Sequence, residues 1–444
     1  MASKISAGLA SQDSSPSLFL DYSFGFSRTS QVSCMPHVST VSFQPGAALS
    51  WRQREASAPI NTVDLSPDLR ILLTSARLQL TSAQEERLQQ LCEQILDWPK
   101  LIDLADRLLM LPLAYRHLRS LPANTVSAEH LSSMRQSCQA RILRLIAMAA
   151  EQRRLVQQVL HPLNISYAFF KGPSLALRYY GELGLRQYRD LDVLVAPKDM
   201  ATLVMALVDR GYVTQPQVLE GAALAFTCRY LAGEMKLLSP RGIVIELHPW
   251  LDRKGCIFPT SSLLAQAESF PTGEMGCRVL PTTALFVYIC YHHSRHQWSR
   301  LHWLADLDAL QRHPSFDLSA VQALAKQLGL QATVNAALSL YQVCGQAEPE
   351  AVDLVGLPER TMRDACLQSL VTGQERKTAQ RSTVDFSFAW QVKYRYLWSL
   401  LTAYLRPTYS DYQALPLPRP LYPLYYLMRP LRAGWIVVRR RVWP

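Results

Sequence analysis

No apolar run in the sequence approaches the roughly 18 residues that a membrane-spanning helix needs, so we expect no transmembrane segment. The first fifteen residues also lack the apolar centre, about 7–15 residues long, of a secretory signal. Nine cysteines are scattered along 444 residues without a CxxC pair. This spacing excludes a dense disulfide framework and indicates reduced thiols. The sequence therefore predicts a cytoplasmic protein.

Charged residues are few as well, at 18% of the chain against 49% apolar residues. This composition is typical of a globular protein with a large core, and it excludes collagen, a coiled-coil rod and a wholly disordered chain. The net charge of +11 is concentrated in residues 381–444, which contain ten Lys or Arg and two acids. Such a basic end predicts either a strap packed on the protein or an anionic partner. Among partners we rank a membrane surface, with peripheral attachment at the inner membrane, above nucleic acid.

The character of the sequence changes several times along the chain. A serine-rich start with no sustained period predicts disorder, and helical periodicity begins after the capping-box pattern Ser82–Glu85. Short β-rich runs then alternate with helical ones, and a Ser-Pro-Arg-Gly turn predicts a hairpin of strands 234–238 and 243–248. We expect an α+β fold with a small mixed β-sheet and flanking helical units. The predicted units are a disordered extension (1–58), a helical unit (59–162), an α/β core (163–255), a helical domain (256–405) and a basic tail rich in proline and aromatic residues (406–444).

Three carboxylates of the α/β core are the strongest candidates for chemistry. Asp190 and Asp192 are two residues apart on a predicted strand, so both side chains point to one face. Glu246 lies among apolar residues on another predicted strand, and an unpaired buried charge is costly. If the two strands pair, the three acids meet and can hold two Mg²⁺ ions about 3.5–4 Å apart, the arrangement for in-line displacement at phosphorus. A solvated strand face is the alternative for the aspartate pair alone.

Other polar residues surround these acids in the sequence. Gly172 follows a predicted strand and precedes a helix, a turn that brings backbone N–H groups close to phosphate, with Lys171 and Ser174 beside it. Arg186 and Arg189 precede the aspartates and are expected either to bind phosphate or to neutralise the carboxylates. His248 follows the Glu246 strand and is a candidate contact for pyrophosphate or the acceptor.

A group of histidines forms a separate candidate. His292 and His296 are four residues apart on a predicted helix and share one face, with His302 and Asp306 further on. These side chains predict either a metal site or a hydrogen-bonded structural cluster, and we favour the cluster because no HExxH pattern or second acidic group follows.

Together these motifs resemble the uncharacterised nucleotidyltransferase family of the DNA polymerase beta-like superfamily. The resemblance rests on FKGPSLALRYYGELGLRQYRDLDVLV (170–195), on Gly211-Tyr212, on IELHPW (245–250), and on the H-x3-H…W-x-x-D pattern that ends at Asp306. It covers roughly residues 63–430 and includes an aspartate before the proline-rich tail, Asp411. It implies metal binding by Asp190, Asp192 and Glu246, and phosphate binding by Gly172 and Ser174.

The predicted function follows from the residues and the resemblance together. We expect an enzyme that transfers a nucleoside monophosphate from a nucleoside triphosphate, with ATP expected, to a hydroxyl acceptor that the sequence does not identify, with release of pyrophosphate. Mg²⁺ is the expected cofactor. One alternative is a non-catalytic adaptor on a degenerate transferase fold, attached to the membrane surface through the basic tail. Another is a zinc-dependent hydrolase that uses the histidines of 292–306.

Overall fold

The computed structural model describes most of the chain after its first 64 residues. The predicted disorder of residues 1–58 therefore lies outside the described residues. Helices and strands are numbered below within these described ranges only. The ranges are 65–231, 233–252, 255–272, 276–296, 298–345, 367–369 and 390–442.

A bundle of helices forms the first part of the described chain. Its members are α1 (Pro67–Thr74), α2 (Ser82–Cys92), α3 (Trp98–Arg107), α4 (Leu111–Leu118) and α5 (Ala128–Leu155). The capping box of α2 lies one residue earlier than the sequence pattern predicts, because Thr81 and Gln84 exchange the two bonds. Ser127 caps α5 as predicted, since its side chain accepts a hydrogen bond from the His130 amide. A π-helical turn, Val156–Leu160, continues α5.

A seven-stranded mixed sheet follows, in the order β3-β4-β5-β2-β1-β7-β6. Its strands are β1 (Tyr167–Phe169), β2 (Asp190–Val195), β3 (Val213–Gln215), β4 (Met235–Leu238), β5 (Val244–His248), β6 (Glu268–Phe270) and β7 (Cys277–Val279). The short helices between them are α6 (Gly172–Leu175), α7 (Met200–Val208), α8 (Gly221–Arg229) and α9 (Thr260–Ala265). The predicted α+β fold with a small mixed sheet is confirmed.

Strand pairing inside the sheet decides where the acids lie. β4 and β5 are antiparallel, so they form the predicted hairpin. β5 in turn lies parallel to β2. Leu191 and Val193 of β2 are fully buried in the core below the sheet, which directs the alternate residues of that strand to the opposite face. The sheet thus presents Asp190 and Asp192 on one face of a central strand.

β6 and β7 add to the sheet after the predicted core boundary at residue 255. Each has three residues, too few for an alternation of period two to be visible in the sequence. β7 pairs in parallel with β1 through Phe169 and Val279. The sheet therefore extends into a region that the helical patterns of the sequence assign to the following domain.

The remaining described chain is helical. Its helices are α10 (Thr282–Arg295), α11 (His302–Gln311), α12 (Leu318–Leu328), α13 (Gln331–Gly345), α14 (Trp390–Leu405), α15 (Tyr409–Ala414) and α16 (Tyr425–Val442), with a 3-10 turn at Arg419–Leu424. α10 and α11 are almost entirely buried and share one core with the N-terminal bundle. Among the described residues, no helix combines the length and hydropathy that crossing a membrane requires.

Candidate active site

The carboxylates predicted from the sequence come together across two neighbouring strands. In the parallel register of β2 and β5, Asp192 lies directly opposite Glu246, and Asp190 lies opposite Val244. Asp192 is buried and Glu246 keeps 14% of its side chain exposed. The two strands therefore bring Asp192 and Glu246 together, while Asp190 lies two residues before Asp192 on the same face of β2.

His248 joins these acids from the end of β5. Its Nε2 donates to Asp192 Oδ1 at 3.1 Å and lies 3.6 Å from Glu246 Oε2. Burial acts to lower the pKa of His248, but the bonds to Asp192 and Glu246 outweigh it and raise the pKa to about 9. In this state the imidazole is protonated at neutral pH and bridges the two carboxylates as a cation.

The pKa values of the aspartates move apart. Burial raises the pKa of Asp190, and the negative charges of Asp192 and Glu246 raise it further. Burial acts in the same direction on Asp192, but Lys171 and the hydrogen bond from His248 outweigh it and lower the pKa. Asp192 is therefore the firmly ionised member of the pair, and the repulsion between the acids shows how closely they are held.

Strand β4 supplies a positive charge that the sequence analysis did not identify. Lys236 of β4 lies opposite Glu246 in the hairpin register, and its Nζ donates to Glu246 Oε1 at 2.6 Å. The sequence could have indicated this pair, because the hairpin turn fixes which residues of 234–238 and 243–248 lie opposite one another. Lys236 balances the charge of Glu246 from the side away from Asp192.

Among the described residues, one group of His, Cys, Asp and Glu side chains brings three ligand atoms within metal-binding reach of one another. This group is Asp192, Glu246 and His248, whose ligand atoms all lie within 4.8 Å. Two carboxylates suit a hard divalent cation such as Mg²⁺, and an added imidazole is also accepted by Mn²⁺ and later transition metals. The two carboxylates therefore fit a divalent metal ion, and His248 can become a third ligand only when it loses its proton.

The turn before α6 lies against the carboxylate strand. Gly172 adopts φ +65°, and a Cβ atom there would lie 3.3 Å from the carbonyl oxygen of Asp190. Lys171 precedes this glycine, and its Nζ atom lies 3.2 Å from His292 Nε2. The charge of Lys171 also acts to lower the pKa values of both aspartates, which helps to lower that of Asp192 and limits the rise at Asp190. The turn therefore holds a cation beside the acids.

Replacing Gly172 by Ala is expected to reduce the free energy of unfolding by about 1–3 kcal/mol, because a side chain at positive φ is strained and the Cβ would press on Asp190. Gly181→Ala is the matched control, since Gly181 has φ +79° but open space around its Cβ position. Urea unfolding of both variants measures the difference. Equal losses in the two variants would contradict the close approach at Gly172.

Two residues predicted to bind the nucleotide have partners elsewhere. The hydroxyl of Ser174 is buried and accepts a hydrogen bond from Gln152 Nε2 at 2.7 Å. Arg186 is 4% exposed and forms a bidentate pair with the fully buried Asp306, at 2.7 and 2.9 Å. Each therefore occupies a structural position in this conformation. Arg189, in contrast, is exposed and has no hydrogen-bond or ion-pair partner among the described residues.

The histidines of 292–306 are part of the packing around this pair. His293 stacks on Trp303 with ring centroids 4.2 Å apart. His292 accepts a hydrogen bond from the ammonium group of Lys171. Burial lowers the pKa values of both histidines, so they are neutral at pH 7. Both carboxylate oxygens of Asp306 accept hydrogen bonds from Arg186, and one of them also accepts a hydrogen bond from the Tyr180 hydroxyl. No metal ligand set for the hydrolase hypothesis exists among the described residues in this region.

The comparison with known proteins identifies the family of the chain. A family model described as an uncharacterised nucleotidyltransferase matches residues 95–345, which is more than half of the chain and includes every candidate site residue named above. No curated protein matches the sequence. The resemblance inferred from the motifs is therefore confirmed, and the chain belongs to the uncharacterised nucleotidyltransferase family.

Proposed function

We propose that the protein transfers a nucleoside monophosphate from a nucleoside triphosphate, with ATP as the expected donor, to the hydroxyl group of an acceptor. The hydroxyl oxygen forms a bond to the α-phosphorus, the bond between the α- and β-phosphates breaks, pyrophosphate leaves and the hydroxyl loses its proton. The observation that carries the proposal is the register of β2 and β5, which sets Asp192 opposite Glu246 and brings both within ligand distance of His248. A carboxylate cluster on adjacent strands is suited to phosphate chemistry that depends on divalent ions.

The proposed cofactor is Mg²⁺, held by Asp190, Asp192 and Glu246. Once bound, such ions would activate the attacking hydroxyl and neutralise charge that develops on the phosphate. Asp192 and Glu246 are both prepared for this role, because their lowered pKa values keep them ionised. Lys236 and His248 hold Glu246 and Asp192 in place from either side.

The remaining residues of the proposed site position the nucleotide. Lys171 places a positive charge beside the two aspartates, and His292 fixes its direction by accepting a hydrogen bond. Arg189 precedes Asp190 and has an exposed guanidinium with five donors suited to phosphate oxygens. Gly172 lets the turn lie against β2. Catalysis of this kind depends mainly on positioning and electrostatics, and these side chains supply both.

Ser174 and Arg186 are left out of the proposed nucleotide contacts. The hydroxyl of Ser174 is bound to Gln152 in the core, and the guanidinium of Arg186 is bound to Asp306. Arg186 still affects the site, since its charge contributes to the lowered pKa of Asp192. We assign it the role of a positioning residue that joins the segment before β2 to Asp306 of α11.

The proposal is tested by following two labels of the same nucleotide. Full-length protein is incubated with Mg²⁺, a cell lysate as the source of acceptor, and ATP labelled at either the α- or the γ-phosphate. Nucleotidyl transfer places only the α label on the acceptor, whereas phosphoryl transfer places only the γ label there. The matched control is Asp190→Ala/Asp192→Ala, which should transfer neither.

The adaptor alternative predicts a different result. A non-catalytic protein on this fold would label no acceptor with any nucleoside triphosphate, with Mg²⁺ or Mn²⁺, and its double variant would behave as the parent does. That outcome would overturn the proposed transfer. The raised pKa of Asp190 favours the enzyme, because a carboxylate held close to two other acids against repulsion is more typical of a functional site than of a structural one.

Arg189→Ala is expected to raise the KM for the nucleotide about tenfold, because a hydrogen bond to a charged phosphate is lost. The midpoint of thermal unfolding should stay unchanged, since Arg189 is exposed and has no partner among the described residues. Arg153→Ala, at an exposed position of α5, is the control and should leave KM as in the parent. An unchanged KM in Arg189→Ala would remove this residue from the site.

A further inference from the structure

The last described helix exposes large apolar side chains, although two of its arginines point inward beside the buried Tyr425. Arg429 and Arg432 of α16 turn inward and both bind the buried Asp411 of α15, at 3.3 and 3.0 Å. On the other side Leu427 and Leu431, one turn apart, are 70% and 77% exposed. A surface helix of a globular protein normally buries the apolar residues and exposes the charged ones. Packing within the described protein therefore does not explain the leucines.

Helix α14, which packs beside α16, also exposes large apolar side chains. Ser399 is buried on its inner side. Its exposed side carries large apolar and aromatic residues at helical spacing, namely Tyr394, Leu397, Trp398, Leu401 and Leu405. Below, the outer face means these five side chains together with Leu424, Leu427 and Leu431.

The concentration of this apolar surface is local. Eleven of the eighteen large apolar side chains that are exposed among the described residues lie between 394 and 431. Single exposed leucines are ordinary on protein surfaces, but a cluster of this kind marks an interaction surface. The outer face is therefore a docking surface rather than a set of chance exposures.

The charge of the same segment indicates what covers it. Residues 381–444 hold ten Lys or Arg and two acids. One of these acids, Asp411, is buried and forms ion pairs with Arg429 and Arg432. Arg395 and Arg419 are exposed beside the outer face. Apolar and aromatic side chains mixed with uncompensated positive charge match the boundary between acyl chains and anionic headgroups.

We propose that α14 and α16 dock the protein on the surface of an anionic lipid bilayer, with the outer face inserted at the headgroup boundary. The helices lie on the surface, since among the described residues none is long and apolar enough to cross it. Trp and Tyr side chains suit this depth because one end is apolar and the other polar. This binding is independent of the proposed nucleotidyl transfer, and each can fail without the other.

The test is cosedimentation of the full-length protein with phosphatidylglycerol-rich vesicles and with pure phosphatidylcholine vesicles. The parent should bind the anionic vesicles and not the neutral ones. Leu427→Glu/Leu431→Glu should weaken binding at least about tenfold. Each apolar side chain that would insert into the bilayer is replaced by a negative charge, which the anionic lipid repels. Both positions are exposed, so thermal unfolding should stay unchanged.

Leu96→Glu/Leu143→Glu is the matched control, since these leucines are 99% and 74% exposed outside the outer face. It should bind vesicles as the parent does. Failure of the parent to bind anionic vesicles, or equal binding by the outer-face variant, would overturn the proposal. In that case a dimer in analytical ultracentrifugation that Leu427→Glu/Leu431→Glu dissociates would assign the face to a second copy, and a shift of labelled RNA would assign it to nucleic acid.

Discussion

Replacing Asp192 by Asn is expected to reduce nucleotide transfer by about a thousandfold or more. Asp192 is held ionised by a lowered pKa and is the shared partner of His248 and the proposed metal ions. An amide at this position keeps the shape of the side chain but removes the negative charge that the ion requires. The loss should therefore appear in kcat as well as in affinity for the metal. The measurement is transfer of the α label from ATP across a series of Mg²⁺ concentrations.

Asp209→Asn is the matched control, since Asp209 is exposed at the end of α7 and has no side-chain partner among the described residues. It should transfer nucleotide at the parent rate. Circular dichroism and thermal unfolding of both variants separate lost chemistry from lost folding. A folded Asp192→Asn variant that keeps a rate within about tenfold of the parent would place the reaction elsewhere.

The acidic core of the site could be predicted from sequence because its determinants are local. The spacing of Asp190 and Asp192 on a strand fixes their common face, and the short turn at 239–242 fixes the hairpin that contains Glu246. One non-local step, the pairing of β2 with β5, was needed to join them. The sequence supplied that step only through its resemblance to a family.

The partners of the basic residues could not be predicted in the same way. Arg186 and Asp306 are separated by 120 positions, and no local pattern shows that they form a buried pair. Ser174 has the same difficulty, because Gln152 and Cys277 reach it from other elements. A basic or polar residue near a site motif has the same sequence signature whether it binds phosphate or supports the fold.

The pair of Arg186 and Asp306 should dominate the stability of the site. Removing one partner leaves a buried charge without compensation, which typically costs about 3–5 kcal/mol. We therefore expect Arg186→Met and Asp306→Leu each to lower the free energy of unfolding by this amount. The double variant Arg186→Met/Asp306→Leu should lose clearly less than either single one, because no isolated charge remains. Urea unfolding followed by tryptophan fluorescence measures all three.

Arg107→Ala is the control for this experiment, because Arg107 pairs with Asp103 at a position where both side chains are about two-thirds exposed. Its cost should be about 0–1 kcal/mol, since water screens an exposed ion pair. If Arg186→Met costs no more than Arg107→Ala, the buried pair does not anchor β2. The double variant Arg186→Met/Asp306→Leu also gives a functional test. If the charge of Arg186 helps to keep Asp192 ionised, this variant should recover stability but keep a low transfer rate. Recovery of both quantities together would assign Arg186 a purely structural role.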